Sequence, residues 1–249
     1  MSLIRKSAIR FGNLIPQRWK RSLKWELSIP DAGASLELLR RRGFQPRRAL
    51  DIGAYHGTWS RMCKDIWPNL RICMFEAQPE KAPGLQALTR SLSGLELRMA
   101  LLSDLPDQEV AFHLAESGSS SLTMLSNPDA PTTRLRTQTL SQLVKGTEFE
   151  RPDFIKVDVQ GAELQVLDGG QDVLAAAQVV MLEVSVIEEY VQGPLFADVI
   201  AYMADRGLLV HDICTIFRHT PSRAMNEVDV IFARRDSVLN ASRRPASQD

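Results

Sequence analysis

Apolar residues recur along this 249-residue chain in two alternating rhythms, one helical and one strand-like. Trp59, Met62, Cys63, Ile66 and Trp67 fall at i, i+3, i+4, i+7 and i+8, one face of an amphipathic helix that Pro68-Asn69 ends. Just before it, Ala49, Leu50 and Ile52 run into Asp51, Gly53 and Gly57, so a strand passes through a tight turn into a helix start. Ala34 to Arg42 reads as an earlier helix, with Gly43 just past its end. Strands are predicted at Arg71 to Ala77, Leu95 to Leu102, Glu109 to Leu114, Phe154 to Val159, Val179 to Val184, Leu208 to Ile213 and Val228 to Phe232. Between them Pro79 opens a helix, Thr139 to Val144 forms a short one after a polar connection, and another begins near Ala162. Phe196, Val199, Ile200 and Met203 mark a further amphipathic helix ended by Gly207. Strands alternating with helices predict an α/β fold with a mostly parallel sheet covered on both faces.

Composition adds an asymmetry. The net charge is zero, yet residues 1 to 48 hold twelve Lys/Arg against three acids, +9, which leaves −9 for the rest. The division expected is a basic, partly helical arm over 1–47, a body over 48–236 and a flexible tail over 237–249. Ser237 to Asp249 reads as frayed. The arm carries Trp19, Trp25 and several leucines and isoleucines, with Pro16 interrupting any long helix. It reads either as an interfacial helix touching anionic lipid or as a segment packed on the body. No nucleic-acid partner is expected, and the oligomeric state is not legible. Three cysteines without Cys-x-x-Cys spacing argue against a disulfide framework or a zinc site, so a cytoplasmic location is the default. No apolar run reaches about 18 residues, the length that would span a bilayer.

Ligands of such sheets bind beyond the C-terminal strand ends, which selects Asp51, Gly53 and Gly57, then Glu76, then Ser103 and Asp104, then Asp158 and Gln160, then Glu183. The glycines do not follow Gly-x-Gly-x-x-Gly, which disfavours a nicotinamide dinucleotide. An acid at the first strand end suits an amine-bearing ligand and repels phosphate. Glu76 at the next strand end has two oxygens for the hydroxyls of a ribose. A ribose acid, a glycine turn and an acid in place of a phosphate cradle together match S-adenosyl-L-methionine. His56, His113, His211 and His219 show no ligand spacing, so no metal is expected; the alternative is magnesium between Asp158 and Glu183.

Asp-Ile-Gly-Ala-x-x-Gly at 51–57, Phe-Glu-Ala-x-Pro at 75–79, Phe-Ile-Lys-Val-Asp-Val-Gln-Gly-Ala-Glu-Leu-x-Val-Leu-x-Gly at 154–169 and Leu-Glu-Val-Ser at 182–185 resemble the FkbM-type methyltransferase family, as does Glu-Val-Asp-Val-Ile-Phe-Ala-Arg at 227–234. The resemblance implies a Rossmann-like seven-stranded sheet with the last strand antiparallel. It also implies methyl transfer from S-adenosyl-L-methionine to a hydroxyl of a saccharide or secondary metabolite, a small-molecule or glycan acceptor. Carried over by position, Asp51, Gly53, Ala54, Tyr55 and Gly57 hold the methionine end, Glu76 and Ala77 the ribose, and Ser103 with Asp104 the adenine side. Tyr55 stands where the family often has Asn, and Ser141 where it has Asp. Asp158 is the expected base, with Lys156 lowering its pKa or stabilising the alkoxide, and Glu183 and Glu163 forming an acidic rim. Each has a plainer alternative: Asp158 as a helix cap, Lys156 as an ion-pair partner of Glu183 or Glu163, Glu163 as a helix-start acid, and His56 as packing beside the cofactor. The loop Ser117 to Ser121 is either a lid or a simple turn. A catalytically inactive module docking through its basic arm is the alternative function.

Overall fold

A computed structural model describes residue 27 and residues 29–115, 119–219 and 222–241. Ten strands run in chain order: β1 (Arg48–Ile52), β2 (Arg71–Glu76), β3 (Leu95–Met99), β4 (Leu101–Leu102), β5 (Glu109–His113), β6 (Thr132–Gln138), β7 (Phe154–Val157), β8 (Val179–Ser185), β9 (Leu208–Arg218) and β10 (Met225–Arg234). The helices are α1 (Ala32–Arg41), α2 (Thr58–Ile66), α3 (Ala82–Ser91), α4 (Leu140–Val144), α5 (Glu163–Asp168), α6 (Gln171–Ala176), α7 (Phe196–Asp205) and α8 (Val238–Ala241).

Seven strands form one sheet in the order β3-β2-β1-β7-β8-β10-β9. The first five are parallel, and β10 runs antiparallel to both of its neighbours, as the family resemblance implies for the last strand. The chain steps outward from β1 to β3 and then returns to lay β7 on the other side of β1. That reversal makes the C-terminal ends of β1 and β7 the topological switch point, where a crevice opens between diverging connections.

Side chains alternate between the two sheet faces, so β1 sends Leu50 and Ile52 into one core and Ala49 into the other. The second core is where α1 and α2 pack. Phe154 stands at its centre, its ring 5.1 Å from Trp59 and 5.7 Å from Phe44, both edge-on. Leu36 and Leu39 of α1 are buried there, and the Ser35 hydroxyl donates to Asp212 on β9 at 2.6 Å. Residues 32–44 therefore belong to the body, where the sequence division at 47 put them in the arm. The remainder of that arm, residues 1–26 and 28, lies outside the described residues.

Other boundaries also move. The predicted strand Leu95 to Leu102 breaks at Ala100, whose N–H donates to the Glu76 carbonyl; Leu101–Leu102 then pairs with Thr137–Gln138 in a separate sheet ordered β4-β6-β5. Strand β6, read from sequence as a polar connection, is Thr-Thr-Arg-Leu-Arg-Thr-Gln with only Thr137 buried, so it carries no apolar alternation. The predicted frayed tail begins with a packed turn: Leu239 in α8 is buried and Asn240 donates to the Arg234 carbonyl at 2.8 Å. Residues 242–249 lie outside the described residues. No helix among the described residues is long and apolar enough to cross a membrane.

Candidate active site

The turn after β1 is built by backbone. The N–H groups of Gly53 and Ala54 both donate to the Phe75 carbonyl at 3.0 Å, folding the turn over the end of β2. Gly53 has φ +74°, and a Cβ there would lie 1.8 Å from the Asp158 carbonyl oxygen, so only glycine lets β1 and β7 close at their ends. At Gly57 the obstacle is α3, since a Cβ would meet Leu88 at 2.3 Å. Tyr55 also takes a left-handed backbone, φ 51°, and its N–H donates to Glu76 Oε2 at 2.7 Å.

Asp51 does not face the crevice. It is fully buried on the α2 side, where its carboxylate accepts from the Ser60 hydroxyl at 2.6 Å and lies 3.4 Å from Lys156 Nζ. Burial pushes its pKa up against the pull of Lys156. Lys156 is its register partner on β7 and is equally enclosed, donating to the Gly53 carbonyl at 2.8 Å and sitting 3.2 Å from Asp158. Burial alone would lower the lysine's pKa, but Asp158 and Asp51 outweigh it and raise it. Lys156 thus ties the ends of β1 and β7 together from beneath, with Asp51 and Asp158 as its partners in place of Glu183 or Glu163.

Above this knot a cleft, partly open to solvent, runs from Gly53 and Tyr55 past Glu76 and Ala77 to Leu101, with Asp158 and Gln160 on its β7 side. Glu76 is buried, and its carboxylate accepts three backbone N–H groups: Tyr55 on Oε2, and Ala77 and Gln78 on Oε1, both at 2.9 Å. A carboxylate has about four lone-pair sites, so one remains, on Oε2.

Asp158, a third exposed, is the carboxylate that enters the cleft. Glu183 stands behind it, outside the cleft lining. The Gln160 amide joins the two, donating to Asp158 Oδ1 at 3.0 Å and to Glu183 Oε2, while its own oxygen accepts from the Tyr190 hydroxyl at 2.5 Å. Burial works to raise the Asp158 pKa, but Lys156 and the hydrogen bonds from Glu183 and Gln160 hold it below the usual carboxylate range. Burial, with Asp158 alongside, pushes Glu183 well up. The two shifts run in opposite directions, favouring the carboxylate form at Asp158 and the protonated form at Glu183.

Glu163 is no rim residue: it is buried and its Oε1 accepts the N–H groups of Val159 and Gly161, both at 3.1 Å, holding the turn that carries Gln160. Burial raises it to about 7. The sequence selects Gln160 as a strand-end position without assigning it a role, and Tyr190 gives no sequence signal because a loop brings it in.

Ser103 and Asp104 bond to each other at 2.9 Å and line a neighbouring recess, not the main cleft. Of the Ser117 to Ser121 loop, Ser117 and Gly118 lie outside the described residues; Ser119 and Ser121 border the cleft, and Ser120 donates to the Gln160 carbonyl at 2.6 Å. His56 rests against Tyr55, ring centroids 4.0 Å apart. Among the described residues no group of three or more His, Cys, Asp or Glu is arranged to hold a metal ion.

Comparison with known proteins bears on this geometry. The family model for the methyltransferase FkbM domain matches residues 51–209. A candidate O-methyltransferase from Klebsiella pneumoniae has the same fold with a TM-score of 0.50 at 13% identity, over 91% of this chain and 95% of that one. Methyltransferase FkbM from Methylobacillus flagellatus aligns with a TM-score of 0.49 at 14% identity over 75% of this chain; the alignment spans 44% of that protein's length. No curated protein matches the chain.

Proposed function

Because the chain belongs to the FkbM methyltransferase family, we propose that it binds S-adenosyl-L-methionine in the cleft at the ends of β1, β2 and β7 and methylates a hydroxyl of a saccharide or secondary metabolite. The observation that carries the reading is the convergence, at the switch point, of the Gly53–Tyr55 turn, the backbone-held Glu76 carboxylate and the carboxylate of Asp158 beside Lys156. The residues fit a phosphate-free nucleoside: the cleft is apolar beside Ala77 and Leu101, and the side-chain charges that line it, Glu76 and Asp158, are acids that would repel a phosphate.

When bound, S-adenosyl-L-methionine supplies the methyl group and leaves as S-adenosylhomocysteine. Glu76 has one lone pair free for a ribose hydroxyl, fewer than the two-oxygen contact its position suggests from sequence. Gly53, Ala54 and Tyr55 shape the methionine end. Asp51 and Gly57 act from behind, through Lys156 and through α3. Asp158 accepts a hydrogen bond from the acceptor hydroxyl, aligns its oxygen, and takes the proton once alkylation has made that oxygen acidic. Lys156 and Gln160 are positioning residues that keep Asp158 ionised and aimed. Correct alignment of two reactants is worth about 7–11 kcal/mol of barrier, so positioning carries most of the catalysis.

The test is a methyl-transfer assay over a panel of glycans and hydroxylated metabolites, scored by the mass of one added methyl group. With the acceptor so found, Asp158→Asn is expected to lower turnover by about 10²–10⁴-fold while S-adenosylhomocysteine affinity is retained. Undiminished turnover would remove Asp158 as the base.

A further inference from the structure

The group that aims Gln160 comes from outside the sheet. Gln160 stands just past β7 with a left-handed backbone, φ 62°, a conformation that residues with a side chain seldom adopt. Its turn is clamped on two sides: the Gly161 N–H donates to Glu163 Oε1 at 3.1 Å, and the Gln160 carbonyl accepts the Ser120 hydroxyl at 2.6 Å. The side chain therefore reaches Asp158 and Glu183, and its amide nitrogen donates to both. Those two carboxyls do not by themselves decide which end of the amide they meet. Asp158 needs a donor, whereas a protonated Glu183, the form its burial favours, can give a hydrogen to an amide oxygen as readily as it accepts one from an amide nitrogen. The terminal torsion of a glutamine is soft, so both senses are within reach.

Tyr190 removes the ambiguity. It is 3% exposed, and among the described residues its hydroxyl has one hydrogen-bond partner, the Gln160 amide oxygen at 2.5 Å. A buried hydroxyl places its proton on an acceptor, so the amide oxygen is held at Tyr190 and the nitrogen is left for the carboxyls. Burial, with Glu227 and Glu183 nearby, pushes the phenol pKa up and keeps that proton in place. The ring is seated closely as well, since a Cβ on Gly161 would lie 2.8 Å from it and one on Gly193 would lie 3.1 Å from the Tyr190 Cβ. We propose that Tyr190 is a positioning residue for methyl transfer, its hydroxyl fixing the Gln160 amide so that a donor, and not an acceptor, faces Asp158. The inference rests on the reading of Asp158 as the base. It extends the support of that base to the loop after β8, where Met124 pairs with Tyr190 and ties the loop to the 119–125 segment at the edge of the cleft.

Tyr190→Phe keeps the ring against Gly161 and removes only the hydroxyl. The first readout is hydrogen exchange of the Gln160 side-chain amide, followed by nuclear magnetic resonance in the isotope-labelled full chain and identified by its loss in Gln160→Met. The wild-type amide should exchange slowly, and Tyr190→Phe should speed it by about tenfold, while the backbone N–H groups of Val159 and Gly161 on Glu163 exchange as before. An unchanged side-chain rate would overturn the assignment, and so would equal acceleration of the two backbone groups, which would mark a structural role alone. The wild type also carries a test that needs no variant to fold: a protected Tyr190 hydroxyl proton beside the Gln160 amide is expected, and its absence would overturn the assignment. The second readout uses the acceptor that the methylation panel identifies. Tyr190→Phe should lower kcat by about 10- to 100-fold with the KM for S-adenosyl-L-methionine unchanged, and adding it to Gln160→Met should lower kcat no further than Gln160→Met alone. Additive losses would overturn the assignment, because Tyr190 would then act by another route than Gln160. Failure of the wild type to bind S-adenosylhomocysteine, or full turnover in Asp158→Asn, would overturn the reading beneath the inference; the exchange of the Gln160 amide is measured without cofactor or acceptor and decides the Tyr190 contact by itself.

Discussion

Glu163 shows how a single buried carboxyl can fix both a turn and a pH dependence. Its ordinary value of 4.5 is raised to about 7 by burial, so between those values the native state holds a proton that the unfolded chain releases. Its stabilising contribution is whole below about pH 4.5 and is lost as the pH rises through 7. Glu227, raised to about 7, and Asp229, raised to about 6, both chiefly by burial, act in the same direction. The chain is therefore expected to melt at its highest temperature in mildly acid buffer. Glu163→Gln keeps an acceptor for the Val159 and Gly161 N–H groups and removes the titration. Melting curves from pH 5 to 8 should flatten, with a gain of up to about 3 kcal/mol at the alkaline end; an unchanged slope would contradict the account. Lys156 sets the opposite case. Lys156→Met strips the charge that faces fully buried Asp51 and should cost about 3–5 kcal/mol in denaturant unfolding.

At the scale of elements, legibility followed the physical signal. The parallel strands and α2 carry dense apolar patterns because they are buried on one or both faces, and the strand ends they define include Glu76 and Asp158, which line one cleft. Asp51 sits at a strand end too, but strand parity turns it toward α2, a consequence that strand-end position alone does not reveal. Strand β6 left no apolar pattern because its half-buried face is Thr133, Leu135 and Thr137, with leucine the one strongly apolar residue among them. Tyr190 reaches the site only because the 119–125 segment is stitched to the loop after β8, Leu125 N–H to the Glu189 carbonyl at 2.8 Å and Val191 N–H to the Thr123 carbonyl at 2.9 Å. No local sequence rule encodes such a contact. Helix α1 belongs to the body on energetic grounds: Leu36 and Leu39 are at most 1% exposed. Leu36→Ala should destabilise the fold by about 2–5 kcal/mol, measured by chemical denaturation; a loss below 1 kcal/mol would return α1 to the arm.

For the molecule as a whole, the reversal of strand order between β1 and β7 determines where chemistry can occur, and the family membership says which chemistry. The same reversal brings Glu76, Asp158 and the Gly53–Tyr55 turn to one cleft, with Glu76 held by backbone N–H groups and Asp158 by Lys156 and Gln160. The basic charge of residues 1 to 48 is a separate property of the chain, offset by an equal acidic excess in the rest. The central claim, that this cleft is a cofactor site, is tested most directly by titration calorimetry of the full chain with S-adenosylhomocysteine. The account predicts saturable binding at one site per chain. Absence of measurable binding to a folded sample would contradict it and leave the fold as a docking module.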